Sequence, residues 1–132
     1  MSVALLIAGS VVVTVAAAFH VYVFLLESVV WTRPSTRRLF GVASAAEAET
    51  LRPMAFNQGF YNLFLAVGAA IGVALLWGFP TAGLALVLLA AGSMALAGLV
   101  LLVSSPRSRR AALLQGGPPL IGVVLLLLSL AS

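Results

Sequence analysis

The chain has 132 residues, 63% of them hydrophobic and 8% charged, where a soluble domain carries roughly a quarter charged residues. That composition excludes a soluble globular fold, and at about 20 apolar residues per helical crossing the length holds four spans and no separate soluble domain. The net charge of +4 does not indicate nucleic acid, because the basic residues flank apolar spans and are accounted for as topogenic charges facing anionic headgroups.

The first span is predicted over about residues 3–30, with Trp31, Thr32, Arg33 and Pro34 marking its exit. Next comes the one sizeable loop. Within it, Ser44 and Glu47 have the spacing of a capping box, which predicts a short alanine-rich helix lying at the cytoplasmic surface between Pro34 and Pro53. The second span is expected over about 53–77, ending at the tight turn Trp77-Gly78-Phe79-Pro80, and the third over about 81–103. A second basic loop, 104–110, leads to the fourth span at about 111–131, where Gly116, Gly117, Pro118 and Pro119 predict a kinked start. The fold class read from this is an all-α, antiparallel four-helix membrane bundle forming one domain over residues 1–132.

All the arginines, Arg33, Arg37, Arg38, Arg52, Arg107, Arg109 and Arg110, fall in the two breaks that follow spans one and three. The positive-inside rule places both breaks in the cytoplasm and both termini outside. Gly68 with Gly72 and Ser93 with Ala97 have the four-residue spacing of close helix contacts, within one protomer or in a homo-oligomer.

Ionisable side chains inside spans are costly and rare, which makes His20 and Glu27 the first candidates for function. They lie seven residues apart, about 10 Å along one helix and near one face. Counting helical rise from the basic ends puts Glu27 about 9 Å inward of Arg33, Asn57 and Gln58 about 6 to 8 Å inward of Pro53, Tyr61 and Asn62 about 12 to 14 Å, and Gln115 about 8 Å inward of Arg110. Since Asn57, Gln58, Tyr61 and Asn62 share one face, and amides unpaired in hydrocarbon cost several kcal/mol each, that face is expected to turn inward. The result would be a polar cavity in the cytoplasmic half of the bundle, with His20 at its deeper end and Trp31 near its mouth. The competing reading is that these side chains are interhelical hydrogen-bond glue, and that Glu27 pairs with Arg52 or Arg110. One histidine, with no cysteine or aspartate, does not fill a coordination shell, so neither a metal nor a cofactor is expected.

The run Asn57-Gln58-Gly59-Phe60-Tyr61-Asn62-Leu63-Phe64-Leu65-Ala66, with His20, Leu26-Glu27 and Trp31 before it and Leu114-Gln115-Gly116-Gly117-Pro118 after it, resembles a family of small bacterial four-span membrane proteins, the domain of unknown function 1304 family. The likeness covers nearly the whole chain. It implies a bacterial inner-membrane protein and carries no activity with it.

Three functions follow as expectations. The first is binding of a lipid-like or amphiphilic molecule by Asn57, Gln58, Asn62, Gln115 and Trp31, extended in a catalytic version to proton transfer by Glu27 with His20 or Tyr61. The second is a small proton-coupled transporter, a layout similar to the small multidrug-resistance exporters, although the one-sided arginines disfavour insertion in both orientations. The third is an accessory subunit that presents its helix faces to a larger membrane complex.

Overall fold

The computed structural model describes residues 1–131. These residues form five α-helices and no strand: α1 Val3–Phe24, continued by a π-helical turn over Leu25–Val29, α2 Pro34–Leu39, α3 Ala45–Leu75, α4 Pro80–Ser104 and α5 Arg109–Ala131, with a 3-10 turn at Pro106–Ser108 before α5. Four helices are long and apolar enough to cross a membrane, namely Val3–Val29, Ala45–Leu75, Pro80–Ser104 and Pro106–Ala131. The protein is an all-α, antiparallel four-helix bundle and a multi-pass membrane protein.

By proximity the residues fall into two compact units. One comprises residues 1–19 with residues 65 onward, and contains helical segments from all four spans. In lipid, apolar burial does not drive helices together, and close approach over small residues does. This unit follows that rule. Its core is built from Ala16, Ala17, Ala66, Ala69, Ala90 and Ala91, interleaved with larger side chains such as Val13, Val87, Met94 and Leu126. Glycines receive those larger groups: a Cβ on Gly72 would stand 2.8 Å from Val87 Cγ2, and one on Gly122 2.6 Å from Val13 Cγ2. At the α4–α5 crossing two glycines meet, and a Cβ on Gly98 would lie 2.6 Å from Gly116 Cα. The Gly68 and Gly72 pair therefore packs within the protomer, against Ala90 and Val87 of α4. Helix α5 is continuous through Pro118 and Pro119. Gly117, lacking a Cβ, removes much of the clash with a following proline ring that usually ends a helix there.

The other unit is residues 20–64, and here the structure departs from the expected layout. Ser44 caps the helix as its spacing with Glu47 predicts: Glu47 N–H donates to Ser44 Oγ at 3.1 Å, while the Glu47 carboxylate accepts from Ala43 N–H, one residue before the cap, at 2.8 Å. This cap opens the second span itself and not a separate helix, because α3 continues from Ala45 through Pro53 to Leu75. Proline costs a helix one hydrogen bond and a steric adjustment, and here the turn it disturbs is exposed, as both Glu49 and Pro53 are. The short helix between spans one and two is α2, nearer span one. Pro34 occupies its first turn, and it closes in a Schellman motif, with Val42 N–H bonded to Arg37 O at 2.9 Å and Gly41 N–H to Arg38 O at 3.2 Å. Gly41 takes the left-handed conformation that this motif requires (φ +70°).

Candidate functional site

The site is built within residues 20–64 from the end of span one and the first half of α3. Span one ends in a π turn, in which Val30 N–H reaches back five residues to Leu25 O at 3.0 Å. Such turns are rare, insert one residue into the helical repeat, and are found disproportionately at functional sites. Glu27 sits inside this one.

Along α3 the buried positions are Ala48, Ala55, Gly59, Asn62, Ala66, Ala69 and Gly72, mostly separated by alternating fours and threes. This is a narrow, coiled-coil-like seam made almost entirely of small residues. Gly59 is its closest point of approach in this unit. A Cβ there would stand 2.1 Å from Ser28 Oγ, 3.1 Å from Glu27 Cβ and 3.2 Å from Phe24 O. With the two backbones so near, Ser28 Oγ donates to Phe56 O at 2.9 Å and the Phe24 ring meets the edge of Phe60 at 5.1 Å.

One turn beyond Gly59, Asn62 Nδ2 donates to Glu27 Oε2 at 2.8 Å and to Gln58 O of its own helix at 3.2 Å. Both amide hydrogens are thus used, which fixes the side chain in the orientation that addresses the carboxylate. Trp31 closes the other flank. Its Nε1 donates to Ala48 O at 2.9 Å, and its ring stands edge-on to Phe40 at 5.2 Å.

Glu27 and Trp31 are common walls of two recesses. The larger, of about 230 Å³, is otherwise lined by Leu51, Met54, Ala55 and Gln58, and so is mostly apolar. The smaller, of about 90 Å³, has polar walls from Ser28, Thr32 and Arg52 in addition to Glu27, with Phe56 beside them. Each exceeds the roughly 10–15 Å³ needed to admit a single water.

The expected residues are distributed unevenly over this geometry. Glu27 and Asn62 are buried and bonded to each other, Trp31 is buried, and Gln58 is an exposed rim residue of the larger recess. His20 is buried at 1% exposure and lines neither recess. Asn57 and Tyr61 are exposed, Tyr61 by 57%, so the four polar residues of α3 do not turn inward together. The seam is narrower than the face they share, and only Asn62 lies on it. Gln115 is half-buried on α5, in the other unit.

The depth count also changes. Span one stops being helical at Val29, so Glu27 occupies its last turn, and helical rise cannot be carried on to Arg33. Helix α3 begins eight residues before Pro53, so its 31 residues extend about 46 Å, well beyond a hydrocarbon core of about 30 Å. The expected pairing of Glu27 with an arginine is not found among the described residues, where the one ion pair is Arg52 with Glu49, 3.5 Å apart and exposed. Arg52, expected as an ion-pair partner of Glu27, instead lines the smaller recess with it, and Ser28 and Gly59 are the contributors that sequence reasoning passed over. For Gly59 a signal existed, since it continues the small-residue spacing set by Ala48 and Ala55.

No group of three or more histidine, cysteine, aspartate or glutamate side chains able to hold a metal ion occurs among the described residues. No curated protein and no solved structure matches the chain. A family model does match, over residues 14–127, which takes in the π turn, the Glu27–Asn62 pair and all but the ends of the bundle. The chain belongs to the family described as "Protein of unknown function (DUF1304)".

Proposed function

We propose that the protein binds a lipid-like amphiphile, with the apolar recess of Leu51, Met54 and Ala55 holding a chain segment and Glu27 holding the head. One observation carries this reading: a buried carboxylate, oriented by Asn62, forms the common wall of an apolar and a polar recess. An isolated carboxylate in a span is expensive, and a ligand head that donates to it offsets the cost. Lipid pockets combine mostly apolar walls with a few fixed polar groups, and this arrangement has that character. The one-sided arginines support a cytoplasmic position for the site and termini on the outer side, and the resemblance to small bacterial four-span proteins supports a bacterial inner-membrane location. Binding is favoured over acid–base catalysis because neither His20 nor Tyr61 lines the recesses beside Glu27.

The test is native mass spectrometry of the purified wild type and of Glu27→Gln. The glutamine keeps an acceptor for Asn62 while removing the charge. Wild type is expected to retain an amphiphile that Glu27→Gln loses at unchanged thermal stability. Identical bound-lipid profiles from the two proteins would refute the proposal.

A further inference from the structure

Glu27 and Arg52 carry opposite charges into the same small recess and are not ion-paired with each other. Arg52 has a side chain 64% exposed, and its contact with Glu49, at 3.5 Å between exposed partners, is of a kind worth little. Its guanidinium is free to take a better partner at the mouth of the recess. At the other end Glu27 is fixed: one carboxylate oxygen accepts from Asn62, and the group as a whole can accept further hydrogen bonds. Ser28 and Thr32 share the lining, and their hydroxyls add acceptor lone pairs. The recess, of about 90 Å³, therefore joins a buried, acceptor-rich carboxylate to an exposed guanidinium.

From this geometry we infer that the head group is a zwitterion, with a primary ammonium seated against Glu27 and a phosphate on Arg52, as in an aminophospholipid. The inference rests on the amphiphile-binding reading above and names the class of head that the site selects. A primary ammonium supplies three N–H donors to a site that offers acceptors, whereas a quaternary ammonium supplies none and a glycerol head leaves the carboxylate without a counter-charge. The phosphate in turn receives the forked guanidinium donors of Arg52. The apolar recess sharing the Glu27 and Trp31 walls identifies the source as a lipid and not a soluble phosphoamine, because a chain joined to the head has a place to lie.

The experiment is competitive native mass spectrometry of the full chain in detergent, with equimolar phosphatidylethanolamine, phosphatidylcholine and phosphatidylglycerol of one acyl composition, repeated with soluble phosphoethanolamine as competitor. Wild type is expected to prefer phosphatidylethanolamine by about tenfold over both other lipids, the scale of one charge-assisted hydrogen bond. Glu27→Gln should abolish the preference for the primary amine. Arg52→Gln, at an exposed position that folding does not depend on, should weaken phosphatidylethanolamine and phosphatidylglycerol alike. Equal retention of the three lipids by wild type, with all three lost in Glu27→Gln, overturns the zwitterion assignment and leaves amphiphile binding standing, whereas a preference that survives Glu27→Gln overturns both. Retention of no lipid overturns both, and displacement by phosphoethanolamine at the same concentration overturns the lipid source.

Discussion

Gly59→Ala tests the close approach on which the site depends. The new Cβ would stand 2.1 Å from Ser28 Oγ, so the serine must rotate away and give up its 2.9 Å bond to Phe56 O. That bond contributes about 1 kcal/mol, discounted because Phe56 O keeps its partner within α3. The contacts at 3.1 Å to Glu27 Cβ and 3.2 Å to Phe24 O are with the chain near its backbone and cannot swing aside, so overpacking adds about 1–3 kcal/mol. Against this, alanine is the better helix former by about 1 kcal/mol. The net expectation is a loss of about 2 kcal/mol. Trp31 is buried on the rim of the site while Trp77 is exposed, so a Trp77→Phe background leaves one tryptophan that reports locally during denaturation in mixed micelles. Adding Ser28→Ala to Gly59→Ala removes the closest clash and should recover about 1 kcal/mol, a coupling that a double-mutant cycle resolves. A neutral or stabilising Gly59→Ala, or no recovery with Ser28→Ala, would refute the packing argument.

Gly98→Ala should be more damaging still, by about 3 kcal/mol, since its Cβ would meet Gly116 Cα at 2.6 Å and only movement of a whole helix relieves that. Gly92→Ala on the same helix, where a Cβ meets nothing within 4 Å, should be neutral or stabilising by up to about 1 kcal/mol, and parallel unfolding of the two variants checks both. The orientation is tested with single cysteines in this cysteine-free chain: a membrane-impermeant maleimide applied to intact cells is expected to label Thr81→Cys and to spare Ser108→Cys, and the reverse pattern would invert the topology.

What the sequence made legible follows from how strongly each feature is penalised. Apolar runs and the arginine breaks located four spans because charge in hydrocarbon is expensive, and the same penalty singled out Glu27 and its partner Asn62. The start of the second span was misplaced because Pro53 looks like a boundary. In an exposed turn its cost is small, and the cap at Ser44 with the alanine-rich turns after it outweighs it. Which of the four polar residues of α3 turns inward could not be read from hydrophobicity, because the seam is marked by Ala55, Gly59 and Ala66, residues that are scarcely more apolar than their neighbours. Size decides packing in a membrane, and size is what a hydropathy reading ignores. The π turn has no residue signature of its own in Leu25–Val29, so the end of span one and the true level of Glu27 were both out of reach.

The π turn has one more implication, concerning length. It holds one residue more than an α-helical turn needs, and deleting Val29 would let span one close as a regular helix. The wider turn absorbs its surplus residue, so the deletion would leave the segments on either side nearly in phase, with Trp31 still able to reach Ala48 O. The turn itself would tighten, and Glu27 sits inside it. A single surplus residue thus sets the local shape of the chain beside both recesses, and a chain of this family could alter those recesses by an insertion or deletion there without changing one side chain of the bundle.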